Sequence, residues 1–203
     1  MKWCLPNRPW THLNTINGLR RYQSVKQSDK SAQKLNQSYV HKPGSWPLFG
    51  ITIGQLMDSA ATRFGDREAL VSIHQGIRTT FTEAKQDTDK LAAGFLALGL
   101  KRGDRIGIWG QNTYQWYVTQ YAAAKAGLIL VNINPMYRTD ELKFCLNKVS
   151  IKAIVCDEIF KTSNYYEMLC DLAPEVPNSP KGQMQSKNLP FLKTIIMITD
   201  NNN

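Results

Sequence analysis

The 203-residue chain is 42% hydrophobic and 20% charged, which suits one globular domain with a tail. Its net charge of +9 belongs to the first quarter, because residues 1–57 hold eight Lys/Arg and one acid whereas residues 58–203 hold seventeen Lys/Arg and fifteen acids. This distribution argues against a basic, nucleic-acid-binding face on the folded part, and no apolar run reaches the roughly 18–20 residues that a membrane-spanning helix needs.

The first 28 residues predict a mitochondrial targeting segment. They hold five basic residues and no acid, with Trp10, Leu13, Ile16 and Leu19 at helical spacing. This pattern is typical of a transit peptide and not of a secretory signal, because no apolar core follows. Arg20-Arg21-Tyr22 resembles a matrix-processing site, so the mitochondrial matrix is the expected location. A disordered basic tail and an incorrectly assigned start codon are the alternatives, and residues 29–50 are predicted to be a linker.

Residues 51–99 are predicted to form a helix, a hairpin and a second helix. The first helix begins after Thr52 and ends at Gly65. Its predicted core face is Ile53, Leu56, Met57, Ala60 and Phe64. A Gln-Gly turn joins the next two apolar runs into a hairpin, and the second helix is expected to be capped by Thr82 and to end at Gly99. The predicted core face of that helix is Leu91, Ala92, Phe95, Leu96 and Leu98.

Residues 103–137 predict a parallel βαβ unit. Apolar runs at residues 105–109 and 128–133 flank a helical stretch at residues 113–126, with glycine or asparagine at each junction. The aromatic residues could offer a stacking platform, but rings at helical spacing favour core positions. These rings are Trp109, Tyr114, Trp116, Tyr117 and Tyr121.

The remaining pattern predicts the fold class. It consists of a helix at 140–149, a strand at 153–156, a helix at 159–172, a proline-rich loop at 173–190 and a strand at 194–199. Strands therefore alternate with helices, and the class is α/β with a partial doubly wound, mainly parallel sheet. Such sheets bind ligands beyond the carboxyl ends of their strands. Those ends are expected near Gly110–Asn112 and Asn132–Asn134.

No catalytic, cofactor-binding or metal-binding residue is predicted from the motifs. The cysteines (Cys4, Cys145, Cys156, Cys170) and histidines (His12, His41, His74) fit no zinc or nucleophile pattern, and buried reduced thiols are expected. Gly103, Gly107 and Gly110 do not open a helix as a dinucleotide fingerprint requires. Ser179-Pro180-Lys181-Gly182 matches the end of a known phosphate loop, but the prolines before it remove backbone donors. We interpret that match as chance.

Several stretches occur in an order and spacing that identify a family. They are Arg78–Glu83, Gly103–Asn112, Ala124–Gly127, Asn134–Tyr137, Glu141-Leu142 and Lys152–Val155. Together they resemble the adenylate-forming enzymes, or AMP-dependent synthetases and ligases, over about residues 50–200. Trp109–Trp116, Phe160–Tyr166 and Pro174–Val176 are similar to the mitochondrial acyl-CoA ligases of that family. Residues 51–203 are therefore expected to be the N-terminal part of a truncated AMP-dependent synthetase/ligase domain.

The resemblance implies a ligase of fatty acid metabolism that uses ATP and magnesium to form an acyl-adenylate and then transfers the acyl group to CoA. In the family, the phosphate loop, acyl pocket, ribose-binding acid and catalytic lysine follow the motifs matched here. We therefore expect a fragment that binds no cofactor by itself, is inactive alone, and meets fatty acid, ATP and CoA only in the full-length enzyme. The alternative is a non-enzymatic short form that self-associates or binds another protein through an exposed sheet edge.

Overall fold

A computed structural model describes residues 48–199 together with residues 42, 44 and 45. The predicted targeting segment lies outside these residues, as do Cys4, His12, His41 and nearly all of the predicted linker. In the described part, no helix is long and apolar enough to cross a membrane.

A four-stranded parallel sheet forms the centre of the described domain. The described residues contain eight strands in all, four of which form this sheet. They are β1 (Glu68–Ser72), β2 (Ile77–Thr80), β3 (Arg105–Trp109), β4 (Ile129–Ile133), β5 (Ala153–Asp157), β6 (Ile159–Phe160), β7 (Ser163–Asn164) and β8 (Thr194–Ile198). The parallel sheet has the order β4-β3-β5-β8, while β1-β2 and β6-β7 are antiparallel hairpins. The apolar runs form its central strands because strands buried on both faces need no polar alternation.

The described residues form five helices, of which the last four pack on the sheet and the first packs on the second and third. They are α1 (Ile53–Phe64), α2 (Phe81–Ala97), α3 (Tyr114–Lys125), α4 (Thr139–Lys148) and α5 (Tyr165–Leu172). Side chains of α4 and α5 pack with Trp109 and Ile154 on one face of the sheet. Side chains of α2 and α3 pack with Ile106 and Val155 on the other face. Helices on both faces confirm the doubly wound α/β prediction.

Two predicted elements are wrong in detail. Thr80, not Thr82, is the N-cap of α2: its hydroxyl accepts from the Glu83 amide at 3.3 Å, and its amide donates to the Glu83 carboxylate at 2.9 Å. The helix predicted from residue 159 starts only at Tyr165, because the β6-β7 hairpin turns first, with Lys161 at a φ of 55°. The 173–190 loop contains one short 3-10 turn.

The predicted core faces of α1 and α2 are only partly buried. On α1 only Met57 of the predicted residues is fully buried, while Ile53 and Leu56 are more than half exposed. On α2 the prediction holds for Ala92 and Phe95, but Leu96 is half exposed. Helical periodicity locates an apolar face, but it does not say how much of that face a neighbour covers.

Candidate functional site at the carboxyl edge of the sheet

The strand order changes direction between β3 and β5. From β3 the chain passes through α3 to β4 on one side, and from β5 it passes through α5 to β8 on the other side. The crevice at such a switch point is where open α/β sheets bind ligands. The two predicted strand ends, Gly110–Asn112 and Asn132–Asn134, lie beside this switch point and together line one cleft of about 540 Å³, with Phe160 of β6.

Gly110 and Asp157 meet at the base of this switch point. A side chain on Gly110 would place its Cβ 2.5 Å from Oδ2 of Asp157, so any other residue would force the Asp157 carboxylate out of this position. The same Oδ2 accepts a hydrogen bond from the Gln111 amide at 2.8 Å. Burial raises the pKa of Asp157, and the Gln111 N–H opposes this rise only in part. Asp157 was not predicted as a site residue, although an acid directly after a buried strand could have indicated it.

A stacked pair of rings supports the opposite wall of the cleft. Trp109 and Tyr165 stack with centroids 3.5 Å apart, and both are fully buried. The Trp109 indole Nε1 donates to the Asn134 carbonyl at 3.1 Å, and the Tyr165 hydroxyl donates to the Pro135 carbonyl at 2.6 Å. The core position predicted for Trp109 is therefore confirmed, and its polar edge fixes the turn after β4.

The residues that line the cleft are polar or apolar and carry no charge. They include Gln111, Asn112 and Asn132, which have side-chain amides, and the aromatic residues Trp116 and Phe160, with no Lys or Arg. Amides can donate and accept hydrogen bonds, and rings can contact an apolar or planar group. This donor set suits a neutral polar ligand group, and it does not fit the triphosphate of ATP, which calls for cations or a run of backbone donors.

The Ser179–Gly182 motif lies at a different place, beside β8. The Ser179 hydroxyl donates to the Glu175 carbonyl at 2.7 Å, and the Ser179 amide donates to Val176 at 3.3 Å. Gly182 lies near the Thr194 hydroxyl. Both Ser179 donors thus bond to carbonyl groups of the same loop and do not point to a phosphate. That the match is due to chance remains our prediction.

The remaining sequence candidates do not converge on one site. Cys156 is buried, and burial raises the pKa of its thiol; Cys145 and Cys170 are free thiols on different helices. The His74 ring lies 3.2 Å from the Ser72 hydroxyl on the first hairpin. Within residues 48–199, no group of three or more His, Cys, Asp or Glu side chains could hold a metal ion.

Comparisons with known proteins agree on one family. A family model described as AMP-binding enzyme matches residues 57–200. The chain is 48% identical over 170 residues to the mitochondrial medium-chain acyl-CoA ligase ACSF2 of Danio rerio, covering 84% of this chain and 28% of that protein. It is 44% identical over 161 residues to the Homo sapiens protein of the same name, covering 79% and 26%. The chain thus spans little more than a quarter of these relatives.

Solved structures show the same fold. The long-chain-fatty-acid-CoA ligase FadD1 of Archaeoglobus fulgidus superposes with a TM-score of 0.63 at 23% identity, covering 82% of this chain and 31% of that one. A fatty acyl CoA synthetase of Mycobacterium tuberculosis superposes with a TM-score of 0.61 at 20% identity, covering 72% and 26%. At these identities the likeness concerns the fold of the domain.

Proposed function

This chain belongs to the AMP-binding enzyme family, and from that premise we propose that it is the N-terminal part of an ATP-dependent fatty acid–CoA ligase. The observation that carries the proposal is the 48% identity to a medium-chain acyl-CoA ligase across 84% of the chain. The whole ligase would form an acyl-adenylate from a medium-chain fatty acid and ATP, and would then pass the acyl group to CoA.

In this proposal the described residues form a framework at the edge of the reaction site. Gly110 and Asp157 fix the two central strands at the switch point, and the Trp109–Tyr165 stack fixes the turn after β4. The amides of Gln111 and Asn132 face the cleft and can contact a neutral part of a ligand. The groups that bind ATP phosphates and magnesium, and that transfer protons, would come from other parts of the full-length ligase.

The test is a chimera of the Danio rerio ligase in which this chain replaces the aligned segment. We expect the chimera to form octanoyl-CoA from octanoate, ATP and CoA, and the 203-residue chain alone to form neither acyl-adenylate nor thioester. A second chimera carrying Gly110→Val should lose activity, because the valine would collide with Asp157. A folded but inactive first chimera, or turnover by the chain alone, would contradict the proposal.

We also propose that the mature protein acts in the mitochondrial matrix. The support is the basic, acid-free composition of residues 1–28 and the word mitochondrial in the names of the relatives. Residues 1–28 fused to a fluorescent protein should direct it to the matrix and be cleaved after Tyr22. A variant with Arg20 and Arg21 replaced by glutamate should stay in the cytosol, and import of that variant would count against targeting by this segment.

The second candidate function is a non-enzymatic interaction protein. It is favoured by β8, which is the outermost described strand on its side of the sheet and carries half-buried apolar side chains from Ile195 to Ile198. Strands at a sheet edge can pair with another chain. Sedimentation of the purified chain tests self-association through β8: a concentration-dependent dimer lost on Ile196→Lys supports such pairing, and a monomer at all concentrations excludes self-association.

A further inference from the structure

Basic side chains align along the amino-terminal edge of the sheet, opposite the cleft. Arg105 is the first residue of β3, and Lys152 and Lys193 directly precede β5 and β8. The three occupy equivalent positions, since the Lys152 amide donates to the Arg105 carbonyl at 2.9 Å and the Lys193 amide donates to the Lys152 carbonyl at 2.7 Å. Ile129 of β4 is paired with Arg105. Neighbouring strands lie about 4.8 Å apart, so this row of four residues extends over roughly 14 Å.

Further cations adjoin this row. The three segments that lead into β3, β5 and β8 are residues 101–105, 148–152 and 191–193, and they contain six basic residues and one acid. The acid is Asp104, whose carboxylate is mostly buried and bound to the Lys152 ammonium at 2.6 Å. We call the six cations the basic edge: Lys101, Arg102, Arg105, Lys148, Lys152 and Lys193.

Compensation of helix dipoles explains only part of the basic edge. Lys148 is in the last turn of α4, where a cation stabilises the helix end. Arg105, Lys152 and Lys193 instead lie at strand starts. In addition, Nε of Arg105 is buried and has no hydrogen-bond partner in the described part of the chain. The basic edge therefore carries more positive charge than the ends of the described helices call for.

Apolar side chains flank the cations at both ends. Ile129 is 50% exposed on β4, and Phe191 is 46% exposed before β8. Cations beside exposed apolar side chains are the combination that binds the interface of an anionic bilayer, whereas single-stranded nucleic acid calls for rings placed among the cations. We propose that the basic edge binds the phosphate headgroups of an anionic lipid membrane. This binding goes beyond the proposed ligase function and leaves the cleft facing away from the lipid.

The test measures binding of the full 203-residue chain to vesicles of phosphatidylcholine with about one-third phosphatidylglycerol. The edge variant carries Lys101→Gln, Lys148→Gln and Lys193→Gln. The control variant carries the same change of charge elsewhere, as Arg78→Gln, Lys90→Gln and Lys161→Gln. The basic first 57 residues are present in every variant, so their contribution to vesicle binding cancels in the comparison. Thermal melts check that both variants are folded.

We expect the edge variant to bind the vesicles about 100-fold more weakly, at roughly five-fold per lysine, and the control variant to bind within about ten-fold of the wild type. Binding should weaken with salt, and Phe191→Ser should reduce it several-fold. Equal losses in both triple variants, or no vesicle binding by the wild type, would overturn the proposal. It would also be overturned if the wild type bound a single-stranded RNA oligonucleotide more tightly than vesicles and the edge variant lost that binding.

Discussion

Replacing Lys125 by methionine should destabilise the domain, because it removes the ion pairs that link α3 to α1 and α2. The Lys125 ammonium binds Asp58 of α1 at 2.6 Å and also Asp89 of α2, and its side chain is only 17% exposed. Methionine keeps the methylene contacts with Gly54 but removes the charge. The two carboxylates then lie close together, and among the described residues Lys85 is the remaining cation that binds them.

The magnitude follows from two charge-assisted hydrogen bonds. Such bonds contribute about 1.5–3 kcal/mol each when buried, and because both aspartates are about two-fifths exposed we take about 1 kcal/mol each. The loss of roughly 2 kcal/mol corresponds to a decrease in Tm of about 4–8 °C for a domain of this size. Lys90→Met, which removes an exposed pair with Asp87, should cost less than about 0.5 kcal/mol.

The loss should depend on pH in a defined direction. Burial alone would raise the pKa of Asp89, but hydrogen bonds from Lys125 and Lys85 lower it below its ordinary value. A lowered folded-state pKa gives stability that is present above the unfolded pKa and is lost as pH falls through the folded pKa. Urea unfolding followed by circular dichroism should therefore show the full difference at pH 7 and a difference that shrinks as pH falls below the unfolded-state pKa of about 3.9. An unchanged Tm at pH 7, or a difference that persists in acid, would refute the ion-pair explanation.

Three further predictions concern the cleft and its supports. Gly110→Ala should lower the free energy of unfolding by about 1–3 kcal/mol, because its Cβ would meet Asp157 at 2.5 Å. Gly94→Ala, in open space within α2, should raise the free energy of unfolding by about 0.5–1 kcal/mol. The urea midpoints of the two variants should therefore shift in opposite directions. Tyr165→Phe removes the 2.6 Å bond to the Pro135 carbonyl and should cost about 1 kcal/mol, with the aromatic circular dichroism largely kept. Burial raises the folded-state pKa of Asp157, so ionisation of this carboxyl destabilises the domain as pH rises from about 4. Asp157→Asn should therefore be more stable than the wild type at pH 7 but not at pH 4. A variant as stable as the wild type at both pH values would contradict a pKa raised by burial.

The positions of the central strands along the chain were the most predictable part of the fold. The observed bounds of β3, β4 and β5 lie within one residue of the predicted ones, because short, unbroken apolar runs have few alternative structures. The β6-β7 hairpin was missed because Ile159 and Tyr166 also fit a helical period. Asn164 carried the correcting signal, since its side chain caps α5 by accepting from the Glu167 amide.

Features that depend on long-range assembly were not predictable from local patterns. Charge counted by segment pointed away from a basic face, yet parallel pairing aligns Arg105, Lys152 and Lys193 from positions far apart in the chain. Asp157 was not among the predicted site residues, because its contact with Gly110 exists only once β3 and β5 are neighbours. The ion pairs of Lys125 could not be predicted either, because its two carboxylate partners come from other helices.

The stack of Trp109 on Tyr165 has an entropic consequence for the cleft. The Asn134 carbonyl accepts from both the Trp109 indole and the Tyr137 amide, and the Pro135 carbonyl accepts from the Tyr165 hydroxyl. The turn after β4 therefore cannot open without breaking its hydrogen bonds to two buried rings. We expect the Tyr137 amide to exchange with deuterium about as slowly as amides of the central strands, although it lies in a surface turn. A ligand that contacts this turn would then meet an already ordered backbone and lose little conformational freedom on binding.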